Sequence, residues 1–116
     1  MAQFLLALRD TGRLDGMSPD EIEKVIAKYA AWRHSLIDRG KLTSASKLHD
    51  GEGRVMRRGD DGVVVMDGPY TESKEVLAGF FVIEAEDYDD AVELARECPH
   101  FQFGSVEVRR LDPPRR

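Results

Sequence analysis

The stretch VLAGFFVIEA, at residues 76–85, decides the fold. Its aromatic and β-branched side chains predict a β-strand with Gly79 inside it. Successive side chains of a strand point to opposite faces of the sheet. Residues 77, 79, 81 and 83 form one set and residues 78, 80 and 82 the other, and both sets are apolar. A sheet that contains this strand must therefore be covered on both faces.

The segments around this strand complete a β-α-β-β-α-β order. Upstream, the pattern predicts a strand at residues 3–9, a helix at 18–39, an irregular connection at 41–53 and a bent strand or hairpin at 54–66. Downstream, it predicts a helix from about 87 to 97 and a strand at 104–111. Ser18, Pro19 and Glu21 form a capping box at the start of the first helix, and Gly40 ends that helix.

This order predicts a single α+β domain over residues 1–116, with the ferredoxin-like split βαβ sandwich as its architecture. Both helices of such a sandwich lie on one face of the sheet. The other face of the strand at 76–85 is also apolar, and a second copy is the partner we expect there. The sequence therefore predicts a homodimer through the open sheet face.

Composition and charge exclude several classes of protein. Apolar residues make up 41% of the 116-residue chain and charged residues 34%, as in ordinary globular domains. The net charge of -5 argues against nucleic acid and anionic membranes as partners. The apolar run at residues 4–8 is too short for a signal peptide or a membrane span. The lone Cys98 suits a reducing compartment, so we expect a cytoplasmic protein.

The chain contains DGPYTESKE at residues 67–75, LAGFFVI at 77–83 and GSVEVR at 104–109. Together these three stretches resemble the DGPF branch of the YCII-related family. The resemblance covers nearly the whole chain, with Tyr70 in place of the usual phenylalanine. It implies a dimeric α/β barrel built on the ferredoxin-like fold.

The resemblance also bears on chemistry. The wider family includes a dehydrochlorinase and proteins with a His–Asp acid–base pair. Counted back from Gly40, the family histidine falls on Tyr29, so this sequence lacks that histidine. The acid of the pair matches Asp10.

Arg33 conflicts with the apolar stripe of the first helix. That stripe consists of Ile22, Val25, Ile26, Tyr29, Ala30, Leu36 and Ile37. Since an unpaired buried guanidinium is costly, Arg33 is predicted to be at least half buried and bonded to Asp67, Glu72 or Glu75. It is either a structural ion pair or an anion-binding residue. Tyr29, one turn earlier, is either a core residue or a proton donor beside Arg33.

The sequence thus predicts a small-molecule pocket between the first helix, the sheet and the loop at residues 67–75. The candidate catalytic residues are Tyr29, Arg33 and Asp10. The candidate substrate-binding residues are Asp67, Gly68, Pro69, Glu72 and His49. No metal or other cofactor is expected, because Cys98 and His100 alone cannot supply the four ligands of a zinc site. Cys98 is interpreted as a small buried residue.

Two functions remain open from the sequence. The first is a small-molecule-binding domain for an anionic or aromatic ligand, with acid–base chemistry of the lyase type. The alternative is a non-enzymatic regulatory accessory, for instance one associated with extracytoplasmic-function sigma factors.

Overall fold

A computed structural model describes residues 1–12, 16–68 and 75–114 of the chain. Strands, helices and one short 3-10 helix alternate along these residues. In chain order they are β1 Ala2–Asp10, α1 Pro19–Asp38, β2 Leu42–Lys47, β3 Gly53–Gly59, β4 Gly62–Gly68, β5 Val76–Ala85, α2 Tyr88–Arg96, the 3-10 helix Pro99–Gln102 and β6 Gly104–Arg110. None of the described helices is long and apolar enough to cross a membrane.

Four strands form the main sheet, in the order β2-β5-β1-β6. Every neighbouring pair in it is antiparallel. This is the strand order of the ferredoxin-like sandwich, so the predicted α+β fold class is confirmed. Among residues 1–12, 16–68 and 75–114, strands β3 and β4 pair only with each other, in a separate two-stranded sheet that we call the arm.

The second strand of the main sheet was predicted in the wrong place. Residues 42–47 form β2, whereas the sequence pattern predicts an irregular connection there and assigns the second strand to residues 54–66. The reason is that β2 is an edge strand with the polar sequence LTSASK. Only Leu42 and Ala45 pack against the core, so the strand carries almost no hydrophobic pattern.

The core lies between the main sheet and the two helices. Its centre is the contact between Trp32 of α1 and Phe81 of β5, whose ring centroids are 4.4 Å apart. Side chains from β1 and α2 complete the cluster; among them are Phe4, Leu6, Leu8, Ala91 and Leu94. Burial of each large side chain stabilises the fold by about 1.5–3 kcal/mol.

The residues of helix α1 determine where the helix begins and which of its faces packs on the sheet. Ser18 caps it by accepting a hydrogen bond from the backbone of Glu21, whose side chain accepts one from the backbone of Ser18. The buried residues of the helix are Val25, Trp32 and Leu36, whereas Ile26 is 59% exposed. The stripe that faces the sheet is therefore centred near Trp32, which the predicted stripe did not include.

Strand β5 alternates as predicted, except that Leu77 is exposed. Residues 79, 81, 83 and 85 are buried beneath the helices. Residues 78, 80 and 82 are half-buried on the opposite face. The main sheet therefore has one covered face and one open face.

Gly104, the first residue of β6, lies against the end of β1. A Cβ atom at this position would be 1.8 Å from the carbonyl oxygen of Arg9. That contact is far below van der Waals distance, and backbone atoms on both sides leave no room for a methyl group. Glycine is thus required for β6 to pair with β1.

We expect Gly104→Ala to lower the free energy of unfolding by about 3 kcal/mol, because the methyl group must push two strands apart. Chemical denaturation measures this change. Gly40→Ala is the control: it changes a glycine with a positive φ and open space around it, and should cost only about 1 kcal/mol. Equal losses in the two variants would contradict the steric account.

Candidate functional site

A cavity of about 260 Å³ opens between α1, β2 and β5. Most of its wall is apolar, formed by side chains such as Leu8, Val25 and Phe81. Polar groups come from Tyr29 and Arg33 of α1, Lys47 of β2 and His100 of the 3-10 helix. An apolar cavity with a few convergent polar groups is the usual form of a small-molecule site.

His100 joins the wall of this cavity to the backbone of β1. Its Nε2 atom is 2.7 Å from the carbonyl oxygen of Arg9. Because a carbonyl oxygen only accepts, the ring hydrogen lies on Nε2. The Nδ1 atom of the neutral ring is then an acceptor, and the hydroxyl of Tyr29 donates to it at 2.6 Å.

The carboxyl group of Asp10 also lies close to the ring of His100. One carboxylate oxygen of Asp10 is 3.9 Å from Nε2 of His100, and the other accepts a hydrogen bond from the backbone of Gly12 at 3.1 Å. His100 is 1% exposed and Asp10 is 7% exposed. Both side chains are therefore packed in the interior, and Asp10, His100 and Tyr29 form a row that ends at the cavity.

Local structure fixes this row. Pro99 begins the 3-10 helix, and the Sγ atom of Cys98 accepts a hydrogen bond from the backbone nitrogen of His100. The pairing of β1 with β5 shifts register between Leu8 and Arg9, next to the carbonyl that His100 contacts. Such irregularities in strands are frequent beside functional sites, because they redirect backbone groups.

A side-chain hydrogen bond ties Glu75, the residue directly before β5, to β6. The hydroxyl of Ser105 donates to a carboxylate oxygen of Glu75 at 2.6 Å, and both residues are half-buried. These residues belong to two different stretches of the sequence, 67–75 and 104–109. The bond holds the start of β5 close to the strand that follows His100.

The sequence model of the YCII-related domain matches residues 2–113. The chain belongs to the YCII-related family. An uncharacterised protein of Rhizobium meliloti (strain 1021) is 32% identical to it, with 96% of this chain and 92% of the relative covered.

A solved structure also resembles this YCII-related chain. It is the 5-chloro-2-hydroxyhydroquinone dehydrochlorinase TftG from Burkholderia phenoliruptrix AC1100, in complex with 2,5-dihydroxybenzoquinone. The TM-score is 0.50 at 18% identity, with 95% of this chain and 93% of that chain covered. At this identity the likeness concerns the fold.

The structure joins two of the three predicted catalytic residues of this YCII-related protein. Tyr29 and Asp10 lie on opposite sides of His100. Arg33 is on the cavity wall but is exposed, and it forms no ion pair with any residue that the structure describes. The predicted bond to Asp67 or Glu75 is wrong, because the face of α1 toward the sheet is centred on Trp32 and turns Arg33 outward.

The predicted substrate-binding residues lie away from the cavity or outside the described part of the chain. Asp67 is exposed on the arm, 3.5 Å from Arg54. Gly68 is the last residue of β4, and His49 is exposed 3.6 Å from Glu52. Pro69 and Glu72 lie outside the described residues. A role for these five in binding stays a prediction.

His100 was not predicted to be a site residue. Its position beside Cys98 in the sequence suggests only a metal ligand. One signal was present: Pro99 and Gly104 enclose a short turn directly before a strand that pairs with β1, so a side chain in that turn reaches the end of β1. Within residues 1–12, 16–68 and 75–114, no group of three or more His, Cys, Asp or Glu side chains is arranged to hold a metal ion.

Cys98 is buried, as predicted, and burial raises the pKa of its thiol from 9.0 to about 11. The folded protein therefore holds the proton to a higher pH than the unfolded chain does. The contribution of the neutral thiol to the free energy of unfolding is complete below pH 9.0 and is lost as the pH rises to about 11. A thiol that is neutral at physiological pH is a poor nucleophile.

We expect the free energy of unfolding of the wild type to fall more steeply above pH 9.0 than that of Cys98→Ala. The extra slope should approach about 1.4 kcal/mol per pH unit, because only the unfolded thiol ionises in this range. Urea denaturation at a series of pH values gives both curves. If the curves of the wild type and Cys98→Ala were parallel, the thiol would have the same pKa in the folded and the unfolded state, and the prediction would be wrong.

Proposed function

We propose that this protein binds a small anionic or aromatic compound in the cavity beside α1 and transfers a proton on it. The observation that carries the proposal is the hydrogen bond of Tyr29 to His100 at the cavity wall, with Asp10 behind it. Tyr29 is the half-buried end of this row, so it is the group that a bound compound meets. Tyrosine and histidine are both established general acid–base side chains.

The geometry supports a specific proton path. The phenolic oxygen of Tyr29 accepts a proton from a hydroxyl group of the substrate, in the keto tautomer that carries chlorine on an sp3 carbon, while its own proton passes to Nδ1 of His100. The electron pair of the broken O–H bond forms a carbonyl group, the adjacent carbon–carbon double bond shifts, and chloride leaves from the sp3 carbon. The imidazolium that results has the Arg9 carbonyl and the Asp10 carboxylate near its Nε2 atom, and both groups favour its positive charge.

The relatives support a reaction of this type. The fold is shared with a dehydrochlorinase, an enzyme of the lyase type, and the ligand in that structure is a single-ring compound. The position of Tyr29 on α1 is where the resemblance places the family histidine. In our proposal the imidazole reaches the site from the 3-10 helix instead, and the tyrosine is placed between it and the substrate.

We expect chloride to be released from a chlorinated hydroxyhydroquinone faster in the presence of the wild type than in buffer without protein. Tyr29→Phe and His100→Gln should each lower the rate by about 100-fold or more, because each interrupts the proton path. A chloride electrode or the absorbance of the quinone product follows the reaction. Circular dichroism checks that both variants remain folded.

Arg58→Gln is the matched control, since Arg58 is exposed on the arm and outside the cavity wall. It should retain the wild-type rate. A rate that Tyr29→Phe leaves unchanged would exclude Tyr29 as the proton acceptor. A wild type that neither binds nor converts any such compound would favour the regulatory accessory.

The second part of the proposal is a homodimer through the open face of the main sheet. Cross-strand partners point to one face, and here Leu5 lies opposite Val82 while Ala7 lies opposite Phe80. These four residues form an apolar centre on the face without helices. Next to it, Glu107 is 3.5 Å from Arg9 and 3.3 Å from Arg109, so charges of both signs border the centre, as a self-complementary contact requires.

We expect Phe80→Asp to convert the dimer to a folded monomer, because it places a carboxylate at the centre of the contact. Phe81→Asp should instead unfold the chain, since Phe81 packs on Trp32 in the core. Light scattering gives the mass, and circular dichroism the folded state. A folded dimer with Asp at position 80 would refute this interface.

We also propose a cytoplasmic location for the protein. Its single cysteine is a free, buried thiol with no disulfide partner in the sequence. Such a thiol is typical of reducing compartments.

A further inference from the structure

The cavity wall has a marked charge asymmetry. Among the wall residues that the structure describes, Arg33 and Lys47 are cationic, and none is acidic. The chain as a whole has 22 acidic and 17 basic residues, so the asymmetry is local and opposes the overall charge. Positive charge at the rim of an apolar cavity favours a ligand with an apolar body and an anionic group.

Arg33 differs from several other arginines of this chain. Carboxylates lie within 3.5 Å of Arg9, Arg39, Arg54, Arg96 and Arg109. Arg33 has no such neighbour among the described residues. The residues three and four positions away on α1 are Tyr29, Ala30, Leu36 and Ile37, so its own helix offers no acid either. Its guanidinium is left available to a ligand.

The ammonium group of Lys47 is less available to a ligand than the guanidinium of Arg33 is. Its Nζ atom donates to the carbonyl oxygen of Leu48 at 2.9 Å and to the carboxylate of Asp50 at 3.0 Å. The carboxylate already compensates the charge of this lysine. Arg33 is therefore the stronger anion-binding group, and its planar fork can bind a carboxylate with two hydrogen bonds.

Tyr29 and Arg33 are four positions apart on α1, so they lie one above the other on the same face, with Cβ atoms roughly 6 Å apart. A ligand whose anionic group pairs with Arg33 therefore lies along the same helix face as Tyr29, in the cavity that both residues line. The cavity of about 260 Å³ is near the lower limit of ligand pockets, roughly 300 Å³. The available space suits a single ring.

We propose that Arg33 selects the ligand: a single-ring, carboxylate-bearing compound whose anionic group pairs with the Arg33 guanidinium while its ring lies in the apolar cavity. The inference rests on the proposed function for the location of the site. It adds the chemical class of the ligand and a residue that determines specificity.

Benzoate and its neutral isostere benzamide are the probes, with binding measured by calorimetry and thermal shift. The wild type should bind benzoate at least about ten-fold more tightly than benzamide, as expected for a charge-assisted pair. Arg33→Gln should remove this preference by weakening benzoate alone, and Arg33→Lys should restore part of it. Arg58→Gln, which removes the same charge outside the cavity wall, should leave both affinities unchanged.

Equal affinities of the wild type for benzoate and benzamide would overturn the inference, as would no binding of benzoate at millimolar concentration. A preference that survives Arg33→Gln but disappears in Lys47→Gln would assign the anion to Lys47 and refute the role of Arg33. The chloride-release rates of the Tyr29 and His100 variants test the proton path independently. The two proposals can therefore fail separately.

Discussion

The hydrogen bond from His100 to the carbonyl oxygen of Arg9 is the interaction on which the site depends. It fixes the hydrogen of the ring on Nε2 and so turns the acceptor, Nδ1, toward Tyr29. The same carbonyl oxygen occupies the space that a side chain on Gly104 would need. A glycine in the GSVEVR stretch thus serves the strand pairing and the site together. Because the imidazole is buried, this bond operates in a medium of low dielectric, where it is stronger than in water.

The rotation of α1 about its own axis decides what the cavity contains. Trp32 packs on Phe81 and sets which face of the helix meets the sheet. This leaves Tyr29 between the core and the cavity and places Arg33 at the rim. One helix therefore supplies a group that can exchange a proton and a group that can attract an anion, at different depths in the same wall.

The features that depend on local pattern could be predicted from the sequence, and those that depend on distant residues could not. The strand at 76–85, the capping box at Ser18 and the positions of Tyr29 and Asp10 follow from periodicity, local chemistry or the family resemblance. His100 lies 71 positions from Tyr29 and 91 from Arg9, and no local pattern records that contact. The exposure of Arg33 was missed because the predicted stripe omitted Trp32. Strand β2 was missed because an edge strand needs few apolar residues to pair.

The arm has a consequence for how the molecule opens. Its strands pair with each other, and Val63 and Val65 on β4 remain exposed along with Met56 on β3. The ends of the segment that carries it are close together, since Lys47 of β2 lies opposite Gly79 of β5. An isolated two-stranded hairpin is only marginally stable in water, so the arm can open and close while the four-stranded sheet stays folded. Its backbone amides should exchange with solvent far sooner than those of β1 and β5, and slow exchange there would reveal a second molecule resting on the arm.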